Sequence, residues 1–336
     1  MKKNRNFVAV MRIIYPIVHA LFYAFSLLPF RVLYAISDVF FVLVYYIVGY
    51  RKRVVRRNLE SSFPEKDTNE LRSIERGFYH FFCDYLVETI KLLSISREKM
   101  LKHFEIRGAE EVEKCFDEGQ TCAGILGHYC NWEYLSATGL AFHRYPEAVM
   151  GLIYHPLYNK VFDRLFIDLR QHLGGTCIPK KDVLRYLITF KREKKMSFVG
   201  YISDQAPKWN NIHLWIPFLG HDTPVFTNGE TLMRKMNNAV FYADIQRPRR
   251  GYYIVEWQLI TRTPNDLEEN AIIKEFFRRL EESIRREPRY YLWSHNRWKR
   301  THEEFDRRFV VKGKKVIPRE QAEAQQKSAN GNAPQS

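Results

Sequence analysis

Two apolar runs open the chain, and the rest alternates between short apolar segments and amphipathic ones. Residues 7–30 are apolar apart from Arg12, His19 and Ser26, and they follow Lys2, Lys3 and Arg5. A run of this length can cross a hydrocarbon core of roughly 30 Å. It is too long for the apolar region of a signal peptide, and no small-residue cleavage site follows it. Residues 32–50 form a second apolar run, broken by Ser37 and Asp38, which can span or lie in the interface beside the first. Arg51, Lys52, Arg53, Arg56 and Arg57 come directly after it. Such a juxtamembrane cluster marks the cytoplasmic side and attracts anionic lipid. Nucleic-acid patches share the composition, but the adjoining membrane-grade runs favour lipid.

Residues 67–93 carry a helical pattern, with Thr68 as cap and Phe78, Phe81, Phe82, Tyr85, Leu86 and Ile90 at helical spacing. Glu88 on that helix reads as a solvated or paired carboxylate. From about Phe104 strands and helices alternate. Helices are predicted over 109–116, 160–173, 181–190, 229–236 and 267–286, and strands over 148–154, 196–203, 240–246 and 253–260. Gly174 and Gly175 stop the second of those helices. The order predicts an α/β fold, a mixed sheet layered by helices behind an N-terminal membrane anchor. Three regions are expected: anchor and basic cluster over 1–57, one domain over 58–312, and a polar, disordered tail over 313–336.

The stretch 121–135, TCAGILGHYCNWEYL, organises the rest. It reads as a buried strand, a tight turn carrying His128, and a helix from Trp132 capped by Asn131. His128 and Glu133 stand five positions apart, which in one continuous helix would place them about 140° apart. With the His in the turn and the Glu in the first helical turn they can converge. That geometry suits a general base and its orienting carboxylate. The alternative is an unremarkable His near an acid. Its place at the carboxyl end of a strand favours function, because ligand sites in open α/β sheets gather there.

The 336 residues are 46% hydrophobic and 15% aromatic, enough for a sizeable core, and carry a net charge of +15. An anionic partner follows: phospholipid, a phosphorylated substrate, an acidic carrier protein or nucleic acid. Cys83, Cys115, Cys122, Cys130 and Cys177 are scattered without a CxxC pair, so neither a disulfide framework nor a zinc site is indicated.

Asp204 and Gln205 end the predicted strand 196–203 at the same kind of carboxyl edge as His128, where an Asp is a structural cap as often as functional. Arg170 lies one position off the apolar face of its helix and reads as a surface Arg. Residues 206–218, with Trp209, Trp215, Pro207 and Pro217, suit a lid, a membrane-facing loop or an ordinary packed loop. FLGHDTPVFTNGE at 218–230 leads into a helix capped by Thr227, a weak oxyanion signal. YYLWSHNRWK at 290–299 interleaves aromatics with cations, fitting a phosphate-bearing amphiphile, single-stranded nucleic acid, or a terminal segment packed with its charges outward. Walker, GxGxxG and GxSxG elements are absent from the sequence.

Taken together these residues resemble the late lipid A acyltransferases of the lysophospholipid acyltransferase superfamily, over residues 51–299. RRNLESSFPE at 56–65 looks like the family's segment after the anchor, and GHYCNWE at 127–133 matches its H-x4-D/E motif. YHPLYN at 154–159 with Arg170 and Gly174, then SDQAP at 203–207, FLGHDTPVFTNGE and YLWSHNRWK follow in the family's order. His155 stands where many members have Arg, and residues 239–245 lack the Pro often found there.

The resemblance implies transfer of a fatty acyl chain from an acyl-carrier-protein thioester to a hydroxyl of a lipid A precursor. His128 would be the general base and Glu133 its orienting carboxylate, with Arg170, Asp204 and Gln205 shaping the site or binding substrate. It implies no metal and no cofactor beyond the acyl-carrier co-substrate. The partners would be acyl carrier protein, lipid A precursor and anionic membrane lipid, not nucleic acid, at the cytoplasmic face of the inner membrane. Alternatives are an acyltransferase acting on a glycerophospholipid or aminolipid, and a membrane-anchored basic binding protein without catalysis.

Overall fold

The computed structural model describes residues 10–313 and 315–331. The leading Lys2, Lys3 and Arg5, and residues 332–336 of the expected tail, lie outside the described residues.

Pro29 divides the two apolar runs. One helix, Tyr15–Leu27, ends before it, and the next, Phe30–Phe41, starts directly after it. Lacking an N–H, proline opens a helix more readily than it continues one. The second helix runs on through Val42–Val48, in a wider turn, to Gly49 at φ 64°. Phe30–Val48 is long and apolar enough to cross a membrane by length and composition, whereas Met11–Leu27 is shorter. Residues 7–9 of the expected span over 7–30 lie outside the described residues, and Phe30–Val48 is long enough for the spanning alternative of the second run.

This N-terminal pair is packed on the rest of the fold. Leu33, Ser37 and Phe41 are buried, and Ser37 Oγ donates to Asp84 Oδ1 at 2.7 Å. Lys91 Nζ donates to the carbonyls of Ser26 and Leu28. The outward side stays apolar, with Val39, Phe40, Leu43, Tyr46 and Ile47 exposed. The boundary expected at residue 57 falls inside the helix Lys52–Ser62. The long helix Thr68–Lys91 is capped by Asp67, not Thr68. Asp67 accepts from the Asn69 and Glu70 N–H groups while Glu70 returns to the Asp67 N–H. That reciprocal box satisfies donors the helix leaves open.

The mixed sheet has seven strands. They are β1 (Phe104–Arg107), β2 (Cys122–Leu126), β3 (Val149–Tyr154), β4 (Gly175–Pro179), β5 (Ser197–Ile202), and the long pair named β8 (Ala239–Arg249) and β9 (Tyr252–Thr261). Between them in sequence, β6 (Leu214–Phe218) and β7 (His221–Val225) form a separate hairpin. The order β1-β9-β8-β2-β5-β3-β4 is parallel throughout except for the β8–β9 pairing. Strand β2 is central and wholly buried, which explains its unbroken apolar run. The helix Ala271–Arg286 packs on β2, β8 and β6. The expected fold class is what the structure shows.

Residues 206–218 hold β6, which pairs with β7 through a two-residue turn in which Leu219 and Gly220 both take positive φ. At the C-terminus, where composition predicts a disordered tail, β10 (Phe309–Lys312) pairs antiparallel with β11 (Lys315–Pro318), and a helix Arg319–Gly331 follows. Its Glu, Gln and Ala residues are strong helix formers, which outweighs the missing apolar periodicity.

Candidate active site

Parallel strands β2 and β5 lie side by side, with Leu126 opposite Ile202. His128 and Asp204 each stand two residues beyond that rung, and the Ser203 N–H bonds the Leu126 carbonyl at 3.0 Å to extend the ladder. Gly127 gives the turn its clearance, since a Cβ there would meet Leu280 Cδ1 at 2.8 Å. The turn is pinned from the other side. Leu292 N–H donates to the His128 carbonyl and Cys130 N–H to the Tyr290 carbonyl, holding Cys130 at φ 51°.

Asp204 grips His128 twice. Its Oδ1 lies 2.6 Å from His128 Nδ1, and its Oδ2 accepts the His128 main-chain N–H at 3.0 Å. With Nδ1–H given to Asp204, Nε2 carries the lone pair, and the Gln205 amide nitrogen sits 3.2 Å from it. The Trp132 ring stands edge-on to the imidazole at 5.0 Å and walls one side. The His side chain is 15% exposed and the Asp side chain 3%. Burial alone would raise the Asp204 pKa. The His128 charge, the two His128 hydrogen bonds and the Arg297 charge outweigh it and hold the carboxyl below its ordinary value.

Glu133 does not orient the imidazole. Its carboxylate takes both arms of Arg170, Nε at 2.7 Å and Nη2 at 2.6 Å. Residues Trp132–Ala141 form a 3-10 helix, not an α-helix. Its tighter turn aims Glu133 at the Lys160–Gln171 helix, while Trp132 takes the place beside His128. Arg170 is therefore a paired, largely buried cation instead of a surface one. Burial would lower its pKa, but the Glu133 charge and hydrogen bond raise it. Asn131 does not cap that helix either: its Nδ2 donates to Glu88 Oε2 at 2.8 Å.

Glu88, Arg297 and His295 complete the neighbourhood. Glu88 is fully buried and also accepts from the Tyr253 and Tyr34 hydroxyls. Arg297, in the 290–299 segment that the sequence leaves open between a ligand-facing and an outward-charged reading, is 1% exposed. It gives Nη2 to the Pro224 carbonyl, and Nε and Nη1 find no partner among the described residues. Burial pushes the His295 imidazole down to about 4, helped by the Arg297 and His128 charges and opposed by Asp204. The Trp and Arg alternation at 293–298 was the available signal, and it does not tell inside from outside.

The arrangement leaves one imidazole nitrogen free to act, its partner nitrogen clamped by a charged carboxylate, on a side chain that is partly exposed. That can take a proton from a hydroxyl. Burial raises the Cys130 thiol well above its ordinary pKa and pushes Cys177 up to about 11, so neither offers a thiolate beside this loop. Among the described residues no group of three or more His, Cys, Asp or Glu could hold a metal ion.

A family model described as bacterial lipid A biosynthesis acyltransferase matches residues 1–300. The chain belongs to this family. No curated protein matches it in a sequence search. The resemblance carried by GHYCNWE and its companion segments thus holds at the level of the family, and the matched span takes in His128, Glu133, Arg170, Asp204 and Gln205. In this member of the lipid A acyltransferase family the candidate site stands at the carboxyl edge of the central strands, with the apolar N-terminal helices packed on the same domain.

Proposed function

We propose that this lipid A acyltransferase moves a fatty acyl chain from an acyl-carrier-protein thioester to a hydroxyl of a lipid A precursor, using His128 as base and Asp204 as its orienting carboxylate. The observation that carries the reading is the 2.6 Å contact of His128 Nδ1 with Asp204, which leaves Nε2 with the Gln205 amide as its one hydrogen-bonding neighbour among the described residues. His128 Nε2 takes the hydroxyl proton. The alkoxide attacks the thioester carbonyl, and the tetrahedral intermediate collapses with cleavage of the C–S bond. The leaving thiolate recovers the proton from Nε2, so the products are an ester and the carrier thiol. Asp204 stabilises the imidazolium between the two transfers. Gln205 yields to the acceptor hydroxyl, and the Glu133–Arg170 pair fixes the wall on which Trp132 meets the imidazole.

The apolar outward face of Phe30–Val48 and of Tyr15–Leu27 rests in the inner membrane, and the domain lies on its cytoplasmic side, where the cluster at 51–57 meets anionic lipid. The net charge of +15 suits an acidic carrier protein as well as a phosphorylated acceptor. The test is acyl transfer from labelled acyl carrier protein to a lipid A precursor in detergent, comparing the parent with His128→Ala and Asp204→Asn. Both variants should bind acceptor as the parent does and lose turnover. Transfer at the parent rate by either one would end this mechanism.

A further inference from the structure

Away from the catalytic edge, a cavity of about 300 Å³ opens between the long helix Thr68–Lys91 and the segment around Tyr290. Arg76, His80, Arg247 and Arg289 line it, and the aromatic rings of Phe81 and Tyr290 form its wall. No carboxylate is among the lining residues. Carboxylates stand behind these side chains: Asp84 takes Arg247 Nη2 at 2.6 Å, Glu287 takes Arg289 Nε at 2.7 Å, and Asp38 Oδ1 lies 3.3 Å from His80 Nε2. Carboxylates placed this way fix the guanidinium planes and leave other N–H groups for a ligand.

Two observations show donors waiting. Arg247 Nε is buried without a hydrogen-bond partner among the described residues, an arrangement that costs free energy unless something else accepts from it. Arg76 is exposed and has no hydrogen bond or ion pair among the described residues. A third observation shows that the cradle is built. Gly77 sits inside the helix Thr68–Lys91, where glycine is less favourable than alanine. A Cβ there would lie 2.4 Å from Arg289 Cδ and 2.8 Å from its Cγ. The glycine lets the Arg289 side chain cross the helix into the cavity.

We infer that this cavity binds a phosphate monoester, a compact dianion able to accept from several guanidinium N–H groups at once. The assignment does not depend on His128 or on acyl transfer. The group can come from the headgroup of a membrane lipid or from a soluble phosphate, and the two are separable.

Full-length protein in detergent is titrated with inorganic phosphate. In a second arm it is mixed with phosphatidylcholine vesicles containing phosphatidic acid or, at matched surface charge, phosphatidylglycerol. Arg76→Gln removes the unpaired cation, and Gly77→Ala displaces Arg289 while favouring the helix. Lys274→Gln, an exposed change on another helix, controls for net charge. Both cavity variants should keep the parent melting temperature and weaken binding about tenfold, the scale of one charge-assisted contact, while Lys274→Gln should not. Loss of the preference for phosphatidic acid assigns the headgroup as the source. Weakened inorganic phosphate binding without any vesicle preference assigns a soluble phosphate. If Gly77→Ala fails to fold, Arg76→Gln decides alone. A parent that binds neither probe, or an Arg76→Gln protein that loses no more than Lys274→Gln, overturns the site.

Discussion

Two buried carboxylates reach the loop that carries His128, and their surroundings tune them in opposite directions. Asp204 holds the imidazole and the His128 main-chain N–H, and its pKa is lowered although burial works against it. Glu88 holds the same loop through Asn131, along with the Tyr34 and Tyr253 hydroxyls, and its pKa is raised. Burial dominates there, and the Asp84 charge adds to it. Arg247, 3.9 Å from Glu88 Oε1, and the hydrogen bonds from Tyr253 and Asn131 only partly offset it. The difference lies in the partner. An imidazole able to carry charge keeps a carboxylate ionised, whereas neutral hydroxyls and an amide leave burial in command. One acid is suited to stabilising a transient cation, the other to holding a loop still.

Replacing the base should produce the largest effect. His128→Ala should lower turnover by about 10²–10⁴ with circular dichroism and acceptor binding unchanged, because the side chain is partly open and its loss leaves the loop's main-chain bonds in place. Asp204→Asn should cost most of the same factor in turnover, since the imidazolium loses its counter-charge. If Glu133→Gln lowered turnover more than Asp204→Asn, the pairing with Asp204 would lose its claim to the orienting role.

Glu133→Gln is instead expected to act on stability. It leaves the largely buried Arg170 with no charged partner, an uncompensated loss of about 3 kcal/mol in a urea titration. The smallest effect separates the two acids by pH. Asp204 has a folded pKa below its unfolded one, so its contribution is present above the unfolded value and lost as pH falls through the folded one. Glu88 has a folded pKa above its unfolded one, so the stability it adds at low pH is lost as pH rises through the folded value. Glu88→Gln should therefore lose less stability than the parent as pH rises from about 4 toward neutrality. Urea midpoints at several pH values would show it, and parallel curves would mean that folding leaves the Glu88 pKa unshifted.

The sequence made the alternation of strands and helices readable, because β2, β3, β5, β8 and β9 each carry a compact apolar run between turn residues. It located His128 and Asp204 separately at strand ends. That they meet follows from β5 pairing with β2, a non-local fact that no local pattern encodes. Glu133 was paired with the wrong group because its partner, Arg170, comes from a distant helix, and because Trp132 claims the space by the imidazole. For Glu88 the sequence leaves solvated and paired readings side by side, and for Arg297 ligand-facing and outward ones; that both are buried depends on compensating groups from remote segments, which no local pattern carries. The β6–β7 hairpin was hidden by Pro217 and Pro224, residues that ordinarily argue against a strand.

The rung at Leu126 and Ile202 works as a ruler with two equal arms. Because neighbouring parallel strands are locked rung by rung, the two-residue reach on each side sets the gap between imidazole and carboxylate, whatever the surrounding loops do. Insertions in the connection after Gln205, or in the segment between β3 and β4, leave that gap untouched. A single residue added between Leu126 and His128, or between Ile202 and Asp204, would turn one side chain to the other face of the sheet and part the pair. Length between rung and functional group is therefore a stricter requirement here than the identity of the residues that fill it.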